Sequence, residues 1–354
     1  MQYDIKASER RRQLRENEPG GKNLTKLLEV IIPAESSYYT TISPLRRWQP
    51  PKCDRSKLIR AYKRNLHAEE RVVVDADELP FDFFQNMLTA VVYLGPQRLH
   101  SWSAKMLPEL EACSLVKEIL IDWWPDSGLD LNEINGTSLS KVRLVPGKRG
   151  LGERYFVAEH IHTPYVALFD DDRGFSCEIL YRLLILVVRF PSKIVTTTEM
   201  GRSILKCEDE ARMRYPYFPD HGEIALPSAS VIAKSLLISY KELMLPSVVE
   251  LINRELNCED VALNWLVASI SGDNQSGVFL DEELVEGIVH LVDRKGLSKK
   301  MNPVERRSAC LNMMVSVLAG WPVPHGRTVA TVISKAKLTK AEPLHKKRRT
   351  QNKI

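Results

Sequence analysis

The chain has 354 residues, a hydrophobic fraction of 44% and a formal net charge of +5. That length allows one large domain or two with a buried core, and the composition is typical of a soluble globular protein. No stretch comes near the roughly 18 consecutive apolar residues that a membrane-spanning helix needs. The first residues, M-Q-Y-D-I-K-A-S-E-R-R-R, lack the apolar segment of a secretory signal, so none is predicted.

The positive charge is concentrated at the end of the sequence. Residues 335–354 contain eight Lys or Arg against one acid, Glu342, and carry +7, so the other residues sum to −2. No nucleic acid is therefore expected to bind the body of the chain. Any affinity for polyanions or acidic membranes would lie in the tail.

The elements predicted along the chain fall into three parts. Residues 1–85 mix charged runs with turn residues, which predicts a partly disordered appendage. From residue 86, strands are predicted over 87–94, 116–121, 142–145 and 165–169, and helices over 99–113, 151–162 and 177–190. This alternation indicates an α/β fold with a mostly parallel sheet between helices. Ligands of such sheets bind beyond the carboxyl ends of the strands.

The strand pattern is lost beyond about residue 220. Helices are predicted over residues 231–244, 259–269 and 309–318, and residues 328–354 are predicted to be a loose basic tail. The expected organisation is an appendage over 1–85, a domain over 86–327 and the tail.

Three adjacent carboxylates, Asp170, Asp171 and Asp172, follow the fourth predicted strand. Like charges this close repel each other unless water or a cation offsets them. Mg²⁺ and Mn²⁺ bind through one or two carboxylates together with substrate phosphates, so a D-x-D motif here could hold a metal against a diphosphate. A solvated acidic turn before the helix near Glu178 explains the same residues equally well.

Two later stretches carry polar residues in apolar surroundings. In N-C-E-D-V-A-L-N-W-L-V-A, Asn257 is the predicted N-cap, and Glu259 and Asp260 fall in the first turn. These residues alone favour an ordinary capped amphipathic helix. The second stretch is R-R-S-A-C-L-N-M-M from Arg306, in which Arg307 alone would be an ordinary surface arginine.

Together, L-F-D-D-D and these two stretches resemble glycosyltransferase family 64, which comprises the exostosin C-terminal domain and its exostosin-like relatives. The resemblance covers about residues 86–326, in the family's order and spacing. It implies the GT-A fold, a Rossmann-like αβα sandwich. It also implies a retaining transferase that uses Mn²⁺ and moves an N-acetylhexosamine from a UDP-sugar donor to a glycan or glycoconjugate acceptor. Homo- and hetero-oligomers are both compatible with it.

The resemblance assigns roles residue by residue. Asp172 and Asp170 are implied as metal ligands. The residues implied to bind the nucleotide sugar are Asp170, Asp171, Arg154 and Arg98. Asp260 is implied to face the reacting sugar, and Arg307 to reach the diphosphate and the reaction centre.

Cys258 and Cys310 lie one in each of the two later stretches, where the family carries a disulfide. Two buried thiols are the alternative. A disulfide requires an oxidising compartment, and the family's compartment is the lumen of the Golgi or endoplasmic reticulum, often with a membrane anchor. No signal or anchor is visible in this sequence.

Several residues depart from the family pattern. Asp122-Trp123-Trp124 replaces the family's W-N-N, which contributes an asparagine near the uridine; Ser228 replaces a glycine, and Arg173 after the acids is unusual. A catalytically degenerate member is therefore one alternative. A polyanion or membrane-surface binder acting through the basic tail is a second, and a different metal-dependent phosphoryl enzyme is a third.

Overall fold

The computed structural model describes residues 69–123, 129, 134, 139–146, 150–206, 213–214, 222–281, 288–290, 303–318, 324 and 326–333. Residues 1–68 of the predicted appendage and 334–354 of the predicted tail lie outside the described residues. Predictions for those two segments therefore stay predictions.

The strands fall into one large sheet and three small ribbons. In chain order they are β1 (Glu69–Asp75), β2 (Leu88–Leu94), β3 (Val116–Trp123), β4 (Val142–Leu144), β5 (Tyr165–Asp170), β6 (Arg173–Phe175), β7 (Ile194–Thr197), β8 (Gly201–Arg202), β9 (Leu205–Lys206), β10 (Met213–Arg214), β11 (Ile224–Ala225), β12 (Ala229–Ala233), β13 (Gly277–Leu280), β14 (Ile288–His290) and β15 (Arg327–Ile333). The small ribbons pair β9 with β10, β8 with β11, and β6 with β14.

The described α-helices are α1 (Leu99–Lys105), α2 (Leu107–Ala112), α3 (Cys177–Arg189), α4 (Lys234–Leu243), α5 (Pro246–Glu255), α6 (Glu259–Ser271) and α7 (Pro303–Val317). None of these described helices combines the length and the apolar character that crossing a bilayer would demand. Helix α3 packs against strands β5, β7, β12 and β13 in the middle of the large sheet.

The large sheet has nine strands in the order β1-β15-β13-β7-β12-β5-β2-β3-β4. Adjacent strands of this sheet run parallel to each other, except that β12 is antiparallel to both of its neighbours, β5 and β7. Val166, Ala167, Leu168 and Phe169 of β5 are all buried, although successive side chains point to opposite faces. Both faces of the sheet are therefore covered there, which confirms the predicted α/β GT-A architecture with a mostly parallel sheet.

The sheet extends past both ends of the predicted domain, 86–327. Strand β15 lies where a loose tail was predicted, and it pairs in parallel with β1, which lies in the predicted appendage. A partly buried ion pair between Glu69 and Arg327 joins the first residues of the two strands. The prediction that strands end near residue 220 was wrong, since β12, β13 and β15 all follow it.

Two predicted helices take a different form. The segment 151–162 forms two single turns of 3-10 helix, Leu151–Glu153 and Ala158–His160, instead of one continuous helix. The segment predicted as helix from residue 231 begins inside β12 and becomes helical only at Lys234. The apolar run A-S-V-I-A fits a strand that is buried on both faces, because tertiary burial outweighs local helical periodicity.

Candidate active site

Three neighbouring strands end in polar side chains at one edge of the sheet. Tyr93 of β2 lies opposite Asp122 of β3 on one side and opposite Asp170 of β5 on the other. Residues in register on adjacent strands project to the same face. Asp122, Tyr93 and Asp170 therefore form one row at the carboxyl edge, where ligands of α/β sheets bind.

Arg154, placed just after the turn Leu151–Glu153, lies over this row. Its guanidinium carbon is 4.8 Å from the centre of the Tyr93 ring, and its Nη2 donates to Asp170 Oδ1 at 2.7 Å. Its Nη1 is 3.7 Å from Glu259 Oε1, and only 6% of the side chain is exposed. Burial alone would lower the pKa of Arg154, but the nearby carboxylates, first Asp170 and then Glu259, raise it. Arg154 is therefore a fixed positive charge shared by two carboxylates.

A second arginine, Arg98, holds the other two acids. Its Nη1 donates to Asp171 Oδ1 and lies 3.3 Å from Asp172 Oδ2. The Gly95 amide donates to the other Asp171 oxygen at 3.2 Å. The protein thus already binds both oxygens of Asp171. Asp172 is the more exposed side chain, 36% against 19%, and its ion pair with Arg98 engages one of its two oxygens.

Asp172 and Asp170 fit a divalent cation, and Asp171 does not. Burial and the neighbouring Asp170 charge raise the pKa of Asp172, and a bound cation would offset both effects. Within the described ranges, no group of three or more His, Cys, Asp or Glu side chains is arranged to hold a metal alone. One or two carboxylates are sufficient when substrate phosphates complete the coordination shell.

The next group lies at the start of α6. Asp260 is buried, with 4% of its side chain exposed, and its Oδ2 accepts from Arg307 Nε at 3.1 Å. A disulfide joins Cys258, directly before α6, to Cys310 in α7, which confirms the predicted pairing. The bridge connects the two helices that carry Asp260 and Arg307, so it restrains how far these two charges can separate.

The turn before α6 has an unusual backbone. Leu256 and Cys258 have φ angles of 48° and 87°, in the left-handed region that non-glycine residues rarely adopt. Cys258, and not the predicted Asn257, is the N-cap, and its side chain makes no capping hydrogen bond. The Asn257 side chain instead accepts from the Cys258 amide at 2.9 Å. Backbone strain of this kind needs support from its surroundings, and Cys258 is itself covalently tied to α7 by the disulfide.

Sequence reasoning missed Glu259 as a site residue. It sits beside Asp260, with 14% of its side chain exposed and with Oε2 lacking a hydrogen-bond partner among the described residues. Burial and the Asp260 charge raise the pKa of Glu259 above its ordinary value. Its only signal in the sequence is its place beside Asp260, which a helix-capping role explains equally well.

Asn264 was not identified from the sequence, and Ser228 was noted only because it replaces a glycine of the family pattern. Asn264 donates to the carbonyls of Ala225 and Asp260 and accepts from the Ala225 amide, and so ties α6 to β11. The Ser228 carbonyl accepts from the Asp170 amide at 2.8 Å. This contact uses only backbone atoms, so the serine in place of glycine keeps it.

The structure also shows a second disulfide and the surroundings of Arg173. Cys113 and Cys177 form a second disulfide, between the end of α2 and the start of α3, that sequence reasoning did not pair. The unusual Arg173 lies 2.9 Å from Met200 Sδ and 3.6 Å from Glu199 Oε1. Of the divergent segment Asp122-Trp123-Trp124, the first two residues end β3 and Trp124 lies outside the described residues.

The predicted site residues therefore form three charged groups. They are Asp170 with Arg154, Asp171 and Asp172 with Arg98, and Asp260 with Arg307. Glu259 links the first group to the third, because it contacts Arg154 and directly precedes Asp260.

Comparison with solved structures finds distant similarities. One is to a 4-diphosphocytidyl-2C-methyl-D-erythritol synthase from Anaerococcus prevotii, with 16% identity, 47% of this chain and 83% of that chain covered, and a TM-score of 0.34. Another is to a mannosyltransferase from Pyrobaculum calidifontis in complex with GDP-mannose and Mn²⁺, with 10% identity, 75% and 79% covered, and a TM-score of 0.43. No curated protein matches the chain by sequence.

The family is shown by sequence. Residues 88–332 match the family described as the glycosyl transferase family 64 domain. The match covers more than half of the chain and contains all three charged groups of the site. The chain belongs to glycosyltransferase family 64.

Proposed function

We propose that the protein is a metal-dependent, retaining hexosyltransferase that moves an N-acetylhexosamine or a related sugar from a UDP-sugar to a glycan or glycoconjugate acceptor. The observation that carries the proposal is the pair of contacts made by Arg154. By binding Asp170 and Glu259, Arg154 joins the D-D-D motif to the start of α6, next to Asp260 and Arg307.

Each charged group has a role in this reaction. Asp172 and Asp170 would hold Mn²⁺, which when bound supplies positive charge to the departing diphosphate. Arg154, Arg98 and Asp171 bind and orient the nucleotide sugar. The Trp123 indole at the end of β3 offers a flat surface on which a uracil ring can stack.

The reacting centre lies between Asp260 and Arg307. Arg307 is 28% exposed, so its guanidinium can reach the diphosphate and stabilise the charge of the leaving group. The buried Asp260 carboxylate would stabilise positive charge at the anomeric carbon. It serves both routes to retention, a covalent glycosyl intermediate and attack from the same face.

The two disulfides support an oxidising compartment for this reaction. We therefore propose the lumen of the Golgi or endoplasmic reticulum as the place where the donor and acceptor meet.

Calorimetric titration of UDP, with and without Mn²⁺, tests the proposal. The wild type should bind UDP only with Mn²⁺, and Asp172→Asn should lose this binding. Asp82→Asn is the matched control, because Asp82 is an exposed acid in a 3-10 turn outside the site. Absence of UDP binding to the wild type in Mn²⁺ would refute the proposal and favour a degenerate family member.

The basic tail suggests a second function, binding to a polyanion or membrane surface, because residues 335–354 carry +7. Deletion of these residues separates the two functions. UDP binding should be unchanged, whereas binding to heparin or anionic vesicles should be lost if the tail carries it. Retention of heparin and vesicle binding by the deletion variant would refute the tail-driven function.

A further inference from the structure

The two carboxylates proposed to hold Mn²⁺ are carried by different parts of the structure. Asp170 is the last residue of β5, and its amide donates to the Ser228 carbonyl at 2.8 Å, so the large sheet fixes its backbone. Asp172 lies two residues further along the chain, in the turn that leads into β6. The distance between the two carboxylates therefore depends on where β6 is held relative to the sheet.

A contact with Gly174 of β6 holds this strand close to helices α1 and α2. Met106, the residue between the two helices, is buried, with 1% exposed, and Gly174 is buried as well. A Cβ on Gly174 would overlap the terminal methyl of Met106 and lie 2.8 Å from its Sδ. Glycine permits this close approach because it alone lacks a Cβ. Since protein interiors are close-packed, the buried methyl of Met106 could not give way without displacing other atoms.

The segment that ends at Met106 also contacts the acidic turn on its other side. The Gly95 amide and the Arg98 guanidinium, which precede α1, both donate to Asp171. Residues 95–106 therefore contact the chain on both sides of Asp172. A carboxylate restrained in this way is preorganised for a ligand, because the backbone that carries it has little freedom.

Two other contacts hold β6 and could position Asp172 without Met106. The Phe175 ring lies 5.8 Å from the Phe169 ring of β5, measured between ring centres. The strand also pairs with β14 along its length. A test must therefore show that the contact between Met106 and Gly174 matters in addition to these two.

We propose that Met106 and Gly174 are positioning residues for the metal site, because their contact sets the place of Asp172 relative to Asp170. The inference rests on the proposed function, which assigns Mn²⁺ to these two carboxylates. A thioether and a glycine offer no ligand that a hard cation prefers, so both residues act through the backbone of the turn. A methyl added at Gly174 should push β6 away from Met106 and weaken Mn²⁺ binding. A shorter side chain at Met106 should make room for that methyl.

The test is a double-mutant cycle that reports the Mn²⁺ requirement. Binding of labelled UDP at a fixed concentration is measured by equilibrium dialysis over a series of Mn²⁺ concentrations, and the Mn²⁺ midpoint is the concentration that gives half-maximal binding. Tm is measured on the same proteins without metal. The proteins are the wild type, Gly174→Ala, Met106→Ala and the double variant. Gly277→Ala is the matched control, because Gly277 is a buried glycine at the amino-terminal end of β13, where an added Cβ would lie 2.8 Å from the Ala225 side chain.

Gly174→Ala should raise the Mn²⁺ midpoint about tenfold, which corresponds to 1.4 kcal/mol. Met106→Ala should also raise the midpoint, because the turn loses its contact. The double variant should have a lower midpoint than either single variant, since the added methyl fills part of the space that Met106 leaves. Gly277→Ala should lower Tm and keep the midpoint within about twofold of the wild type, because it lies at the opposite edge of the sheet.

An unchanged midpoint in a folded Gly174→Ala protein would overturn the inference, since the contacts of β6 with β5 and β14 would then suffice to place Asp172. A double variant whose midpoint shows the product of the two single effects would overturn it as well. If Gly174→Ala does not fold, a double variant with a midpoint no lower than that of Met106→Ala has the same meaning. Absence of UDP binding to the wild type in Mn²⁺ is a different result, which refutes the proposed function itself.

Discussion

Removing the Cys258–Cys310 bridge should reduce catalysis more than removing the Cys113–Cys177 bridge. The two removals should lower the free energy of unfolding by similar amounts. The closed loops span 52 and 64 residues. By the chain-entropy relation, each bridge then stabilises the fold by about 4 kcal/mol. In a domain of this size, such a loss corresponds to a fall in Tm of roughly 10 °C.

The two bridges differ in what they restrain. Cys258 has a left-handed backbone with φ 87° and lies two residues before Asp260, whose partner Arg307 lies three residues before Cys310. A backbone held in this region stores about 1–3 kcal/mol, which the turn can release once the bridge is absent. The Asp260–Arg307 pair would then shift, and a displacement of about 1 Å at a reacting centre can reduce the rate about a hundredfold.

The assay compares the double alanine variant at Cys258 and Cys310 with the matched variant at Cys113 and Cys177. Tm is measured by scanning calorimetry. UDP-sugar hydrolysis or transfer is then measured at a temperature where both variants are fully folded. We expect similar falls in Tm and a loss of kcat about a hundredfold larger for the first variant. Equal rates in the two variants, with both folded, would refute the argument that this bridge positions the reacting groups.

Three other substitutions test the fold and the site. Burial alone would raise the pKa of Glu118, but hydrogen bonds, first from the His162 amide, lower it to about 2. The ionised Glu118 carboxylate should therefore add up to about 3 kcal/mol to the free energy of unfolding above pH 4.5. This stabilisation should be lost as the pH falls from 4.5 to 2. Urea unfolding at pH 7 and pH 3 should show this decline in the wild type and a smaller one in Glu118→Gln. Gly152→Ala would place a Cβ 2.5 Å from the Val249 carbonyl oxygen, so chemical denaturation should show a loss of about 1–3 kcal/mol, and unchanged stability would contradict the packing described. Arg154→Met should lower stability by about 3 kcal/mol and weaken UDP-sugar binding, because two carboxylates lose their shared cation; an unchanged Tm would argue against that shared role.

Much of the fold could be predicted where the signal is local. Strands β2, β3 and β5 are short apolar runs stopped by polar or turn residues, and such runs are visible in any window of the sequence. Strand β12 could not be recognised, since A-S-V-I-A leads directly into a helix and is assigned only by its neighbours β5 and β7. The pairing of β1 with β15 likewise has no local signature, because it joins residues 258 positions apart.

The site divides in the same way. Asp172, Asp260 and Arg307 could be predicted from the sequence because each lies within a short recognisable motif. The role of Glu259 depends on its distance from Arg154 and on an oxygen left unpaired, which are properties of packing and not of residue order. The Cys113–Cys177 bridge was missed for the same reason, since it joins two helix ends that lie 64 residues apart in the sequence.

The pairing of β1 with β15 also bears on how the protein is made. At about 5–20 residues per second, a ribosome needs on the order of ten to fifty seconds to synthesise the chain between these partners. During that interval the valine-rich β1, with its exposed Val73, has a free edge that can pair with other chains. This edge should therefore be the last part of the sheet to form, because in the described sheet β1 has no partner strand until β15 has been synthesised.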